Sequence, residues 1–164
     1  MSRAAEDLRA PRPPVSAAGT VDPAPAAPET DVRALRDRLL DVSRPMFDRF
    51  QAIFALRNLG TDEAAVALGA GMVRDASALL RHECAYVLGQ MQREAAIPFL
   101  VQAARFDANP MVRHEACEAL GAIGTDEVLS VLREIGRTDA AVEVRESCEV
   151  ALAHIAYLRD PARF

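Results

Sequence analysis

Apolar side chains return along this chain on a helical beat that is itself repeated. Counting from the arginines at 49, 81, 113 and 145, the third, seventh and tenth residues are apolar each time. They read Ala52, Leu56, Leu59; Cys84, Leu88, Met91; Ala116, Leu120, Ile123; and Cys148, Leu152, Ile155. At about 100° per residue these positions share one stripe of an α-helix, which must face other helices. The arginines stand 32 residues apart, as do Leu68, Leu100 and Leu132 in the intervening segments. Gly60-Thr61-Asp62-Glu63 recurs as Gly124-Thr125-Asp126-Glu127, a helix stop followed by a helix start. Each unit reads helix, turn, helix, turn, with no strand-like alternation. A fixed period of this length predicts an all-α fold, an α-solenoid of stacked helical hairpins.

The pattern sets the domain limits as well. Thr30-Asp31 supplies an N-cap for a helical run from Val32 to Leu40, so the repeat domain is expected over residues 31–160. Residues 1–30 are rich in proline and alanine, with almost nothing large and apolar to bury. That composition predicts a disordered tail or extended linker.

Composition narrows the function. With 51% hydrophobic and 26% charged residues the chain is ordinary for a globular domain, long enough to bury a core. No apolar run approaches the roughly 20 residues of a membrane helix, and residues 1–20 lack the apolar block of a secretory signal. A net charge of −5 argues against nucleic acid, which needs a basic face. Cys84, Cys117 and Cys148 show no metal-binding spacing and read as small core thiols in a reducing compartment, here the cytoplasm.

Candidate chemistry sits in two matching helix starts, Arg81-His82-Glu83 and Arg113-His114-Glu115. The flanking units carry Phe50-Gln51 and Glu146-Ser147 instead. Helices of adjacent layers lie about 8–10 Å apart, so imidazoles from two layers can converge on one ion. Two histidines with two carboxylates, His82, Glu83, His114 and Glu115, suit iron, manganese or zinc better than calcium. The competing reading is that Arg-His-Glu caps each helix, with the carboxylate favoured by the helix dipole. The histidines share their side with Tyr86 and Gly89 in one unit and with Glu118 and Gly121 in the next. A glycine inside a helix costs about 0.5–1 kcal/mol, so something bulky must come close there. It is either a neighbouring helix or the occupant of a pocket floored by Gly89 and Gly121 and rimmed by Tyr86 and Glu118. His154, on the last helix, is expected at the surface.

At these residues the chain resembles the deoxyhypusine hydroxylase family. The resemblance is carried by Leu80-Arg81-His82-Glu83 with Tyr86-Val87-Leu88-Gly89-Gln90, and by Asn109-Pro110-Met111-Val112-Arg113-His114-Glu115 with Glu118-Ala119-Leu120-Gly121. Phe54-Ala55-Leu56-Arg57-Asn58 and Val144-Arg145-Glu146-Ser147-Cys148 are similar too. The family implies HEAT-like hairpins and a monooxygenase with Fe2+, two ions in the complete site. Its oxygen-dependent reaction converts a deoxyhypusine residue of a eukaryotic translation initiation factor to hypusine. By resemblance His82 and His114 would bind iron with Glu115, while Glu83 binds iron or faces the amine-bearing substrate. The chain is similar to the C-terminal half of the family, so the missing N-terminal half or a second copy would complete the site. The alternative function is a non-catalytic repeat adaptor whose curved face binds another protein.

Overall fold

The computed structural model describes residues 21–163. Its eight α-helices, among the described residues, are α1 (Val32–Leu40), α2 (Met46–Leu59), α3 (Asp62–Arg74), α4 (Ala78–Met91), α5 (Ile97–Phe106), α6 (Pro110–Ile123), α7 (Asp126–Thr138) and α8 (Val142–Arg159). Consecutive helices pair as hairpins, and the hairpins stack in chain order. The even-numbered helices form one row, α2 against α4 against α6 against α8; the odd-numbered helices form the other. None of the described helices is long and apolar enough to cross a membrane.

Local chemistry explains the helix limits. Asp31 caps α1 by accepting the N–H groups of Arg33 and Ala34, and Thr61 caps α3 through the N–H of Ala64 at 3.1 Å. The repeated stripe lies inside: Ala52, Leu56, Cys84, Leu88, Ala116, Leu120 and Cys148 are fully buried. Burial pushes the Cys84 thiol up from its ordinary pKa. A hydrogen bond with Cys148, together with burial, does the same to Cys117.

The first part of the expected tail, residues 1–20, lies outside the described residues. Residues 21–30 depart from that expectation and lie along α2. Arg57 donates to both carboxylate oxygens of Asp22, at 2.8 and 2.6 Å, and Ala27 N–H donates to the Gln51 carbonyl at 3.0 Å. Ala24 and Ala27 are buried. The cause is local: Arg57 is itself buried, stacked 5.0 Å over the Phe54 ring, and needs a counter-charge. Alanines are small enough to let the segment come close.

Charge joins the layers. Asp75, Asp107 and Asp139 end α3, α5 and α7. Each takes the guanidinium of an arginine from the preceding layer: Arg49 to Asp75, Arg81 to Asp107, Arg113 to Asp139. The last two contacts are two-pronged, at 2.7 and 2.8 Å for Asp107 and 2.8 and 2.9 Å for Asp139. Each aspartate also accepts the N–H two residues on, from Ser77, Asn109 or Ala141. The Arg113 guanidinium holds the Asp139 carboxyl below its ordinary range, against the effect of burial. At Asp107 burial opposes ionisation, but the bond from Arg81 leaves the carboxyl lowered as well.

Close approach joins the layers a second time. A Cβ built on Gly121 would meet Ala151 of α8, its Cβ at 2.5 Å and its Cα at 3.0 Å. On Gly89 it would meet Ala119 of α6, at 3.1 Å from Cα and 3.2 Å from Cβ. What comes close to these glycines is therefore the next helix.

Gly121→Ala should destabilise the chain by about 1–3 kcal/mol in chemical denaturation, because the added methyl meets backbone that cannot turn away. Its gain in helix propensity, about 1 kcal/mol, does not offset that contact. Gly89→Ala, with a few tenths of an ångström more room, should cost less. The ladder makes a pH prediction. A carboxyl lowered by folding stabilises fully above its unfolded value, and that contribution is lost as pH falls through the folded value. The ladder's own contribution should therefore be level above about pH 5 and fall below pH 4. Asp139→Asn should flatten that fall in denaturation curves taken from pH 7 to 2.

Candidate metal centre

The helix starts expected to carry chemistry do not act as caps. Ser77 caps α4 through the Leu80 N–H at 3.3 Å, and Asn109 caps α6 through the Met111 N–H at 2.9 Å. His82-Glu83 and His114-Glu115 stand one turn further in, freed from that task, on the row of even-numbered helices.

Each histidine reaches across to the next layer. His82 Nε2 lies 3.3 Å from Glu115 Oε2, and His114 Nδ1 lies 2.5 Å from Ser147 Oγ. In both cases the partner is 33 residues on. The Ser147 hydroxyl donates to the Glu143 carbonyl at 2.8 Å. Its one hydrogen is thereby used, so Nδ1–H of His114 is the donor to Ser147. The bond to Glu115 raises the His82 imidazole above its ordinary pKa, against burial. Burial pushes the Glu83 carboxyl up, with His82 working in the opposite sense.

The ligand-capable group is not quite the expected one. Single donor atoms of His114, Glu115 and Glu118 all lie within 4.8 Å of one another. His114 and Glu118 are 3.5 Å apart as an i, i+4 pair on α6. His82 joins this cluster only through Glu115. Glu83 stays outside it, half-buried, in the field of His82, Glu115, Asp22 and Arg57.

A cleft of about 260 Å³ adjoins the group, lined by Tyr86, Gly89, Gln90, Glu115, Glu118 and Ala119 among others. Three of the four residues expected around a pocket thus share one cleft with Glu115. Gly121 does not; it is buried against Ala151. His154 is exposed on α8. Sequence reasoning placed Glu118 at a pocket rim rather than in the ligand group, and it missed Ser147. Glu118 stands one helical turn from His114, a spacing that marks it as a neighbour. Ser147 occupies the place of Glu115 one period later, and that register identifies it as the residue under His114.

The residues present fit a cation. Glu115 and Glu118 bring two carboxylates within reach of the His114 imidazole, and His82 meets Glu115 from the layer before. Glu115, almost fully buried, has His82 as its ion-pair partner. Mixed nitrogen and oxygen donors at this separation suit a divalent transition metal.

Comparison with known proteins agrees with the helical-repeat architecture. A family model described as HEAT repeats matches residues 65–153, and one described as PBS lyase HEAT-like repeat matches residues 48–73. Deoxyhypusine hydroxylase of Gallus gallus is 62% identical over 86 residues, covering 52% of this chain and 28% of the relative. That of Homo sapiens is 60% identical over 84 residues, covering 51% and 28%. The structure of human deoxyhypusine hydroxylase in complex with glycerol matches 88% of this chain and 50% of that chain, with 52% identity and a TM-score of 0.84. The chain thus spans about half the length of that enzyme and matches little more than a quarter of the curated relatives. A stack of four hairpins, matched by a repeat model over more than half its length, belongs to the HEAT-repeat family, and within it the chain is similar to deoxyhypusine hydroxylase.

Proposed function

We propose that this chain supplies part of an iron-dependent deoxyhypusine hydroxylase, the part that holds one set of histidine and glutamate ligands. The observation that carries the reading is the convergence of His114, Glu115 and Glu118 beside an open cleft, in a chain about 60% identical over half its length to relatives bearing that name. His114 and Glu115 would hold iron, with Glu118 within reach and His82 and Glu83 completing the ligand set. Iron bound there supplies the redox chemistry that lets dioxygen oxidise an unactivated C–H bond.

The chain's own residues prepare the site around the metal. Ser147 fixes the orientation of the His114 ring. His82 holds Glu115 at the wall of the cleft, ready to exchange a hydrogen bond for a metal bond. Glu118 and Glu83 give the cleft a negative field, which draws in the cationic amine of a deoxyhypusine side chain. Tyr86, about a third exposed at the cleft, offers an aromatic surface for the alkyl part of that side chain. The substrate is a deoxyhypusine-bearing translation factor, and the reaction takes place in the cytoplasm. The missing half, or a second copy of this chain, brings the further ligands that two irons need.

Metal binding gives a first test. Anaerobic titration with Fe2+ should show binding to the chain, and Glu115→Gln or His114→Ala should weaken it by at least about 100-fold. Far-ultraviolet circular dichroism should stay unchanged in both variants. The reaction gives the second test. The iron-loaded chain, with dioxygen, a reductant and a deoxyhypusine-bearing translation factor, should add the mass of one oxygen atom to that substrate. Retention of no metal by the wild-type chain would leave a helical adaptor and remove the enzyme reading.

A further inference from the structure

One wall of the cleft beside the candidate metal centre is set from the seam before it. Arg57 of α2 stands one period before Gly89 and two before Gly121. Where those glycines let neighbouring helices touch, Arg57 puts a buried guanidinium between α2 and α4. Each of its five N–H groups has an acceptor. Nε and Nη2 donate to Asn58 Oδ1 at 3.2 and 3.1 Å. Nη1 and Nη2 donate to the two carboxylate oxygens of Asp22. The second hydrogen of Nη1 goes to Gln90 Oε1 of α4, at 3.1 Å. That contact spans 33 residues, the same reach as His82 to Glu115 and His114 to Ser147.

An arginine can only donate, so the oxygen of the Gln90 amide is the end that faces it. The guanidinium is held over the Phe54 ring and gripped by Asp22. The amide therefore has a fixed sense, with its oxygen toward α2 and its two N–H groups on the other edge. Gln90 also lines the cleft of about 260 Å³, together with Tyr86, Glu115 and Glu118. Carboxylates only accept, and a tyrosine hydroxyl can do either. The Gln90 amide is thus the one nitrogen donor among the side chains lining that cleft. A cationic amine is met by the carboxylates, and an N–H group has nothing to give it. What the amide fits is an uncharged oxygen, and a polypeptide that inserts a side chain brings one with it, the carbonyl of its own main chain.

Resting on the hydroxylase reading above, we propose that Gln90 is a specificity-determining residue of the cleft. Its amide donates to a main-chain carbonyl of the substrate beside the deoxyhypusine side chain, and Arg57 and Asp22 are positioning residues that turn the amide for this contact. The carboxylates take the amine and the amide takes the peptide. The cleft thereby tells a deoxyhypusine within a polypeptide from a free polyamine.

Two probes separate these contacts: a short peptide carrying one deoxyhypusine, and free spermidine, which has a similar amine-bearing chain but no carbonyl. Calorimetry under nitrogen, on the full chain loaded with Fe2+, measures both affinities without turnover. The wild-type chain should bind the peptide more tightly than spermidine. Gln90→Glu keeps an oxygen for Arg57 and removes the donor. The ratio of peptide to spermidine affinity should then fall by at least about tenfold, since the carbonyl is left unpaired. Fe2+ affinity and the thermal midpoint should hold, because the contact with Arg57 survives. Asp22→Asn should lower the same ratio, and should add nothing once Gln90→Glu is present; additive losses would overturn the positioning role. A wild-type chain with no preference for the peptide overturns the inference, as does a ratio that Gln90→Glu leaves unchanged, and both leave iron binding standing. A chain that binds no Fe2+ removes the hydroxylase reading, and this inference with it.

Discussion

Positive charge at the seam between hairpins constrains everything else in this molecule. Arg49, Arg81 and Arg113 sit where two layers meet, and a guanidinium cannot shed its proton to suit a buried place. Leaving one there without a counter-charge would be costly, so each following layer must present a carboxylate at a fixed point. A two-pronged contact tolerates neither a slide along the helix nor a turn about its axis. The net stabilisation from such pairs is modest, since replacing them with apolar residues is often neutral. Their effect is on register. The basic residues of this chain are all arginine, with no lysine, so every such contact is made by a planar fork.

That register reaches directly into the candidate centre. His82 and His114 each follow a ladder arginine by one residue, so locking the arginine also aims the imidazole. The small residues complete the geometry. With Gly89 against Ala119 and Gly121 against Ala151, the even-numbered helices come close enough for short polar side chains to touch across the gap. A bulkier seam would leave His82 and Glu115 on separate surfaces. Scaffold and site therefore share the same two contacts.

The period, the apolar stripe and the His-Glu pairs are all legible along the sequence, because each depends on spacing within one helix or on recurrence of a unit. What a histidine meets in the next layer is not legible in that way. It depends on the offset between α4 and α6, which is set by the ladder and by the glycine contacts together. Glu118 is visible as a neighbour of His114, yet only the packing of α6 against α4 decides whether it rims a pocket or joins a ligand group. The glycines announce a close approach without saying what approaches. Residues 21–30 mislead through composition: proline and alanine suggest an unstructured tail, while one charge pair, Asp22 with Arg57, ties the segment down. Gln92 shows the reverse case. It adopts the left-handed conformation, φ 51°, at the place where Gly60 and Gly124 stand in other units, and only the period points to it.

The cross-layer histidine contacts run over 33 residues, one more than the repeat. No single hairpin therefore contains both ends of a histidine contact; each carries an imidazole whose partner lies in its successor. Copying whole units end to end would preserve every such junction and extend the array without disturbing the chemistry. Transplanting one hairpin elsewhere would move the histidine and strand it. The smallest portable piece of this machinery is a boundary between neighbours, and a lineage of such proteins would have to pass on its repeats in adjoining pairs.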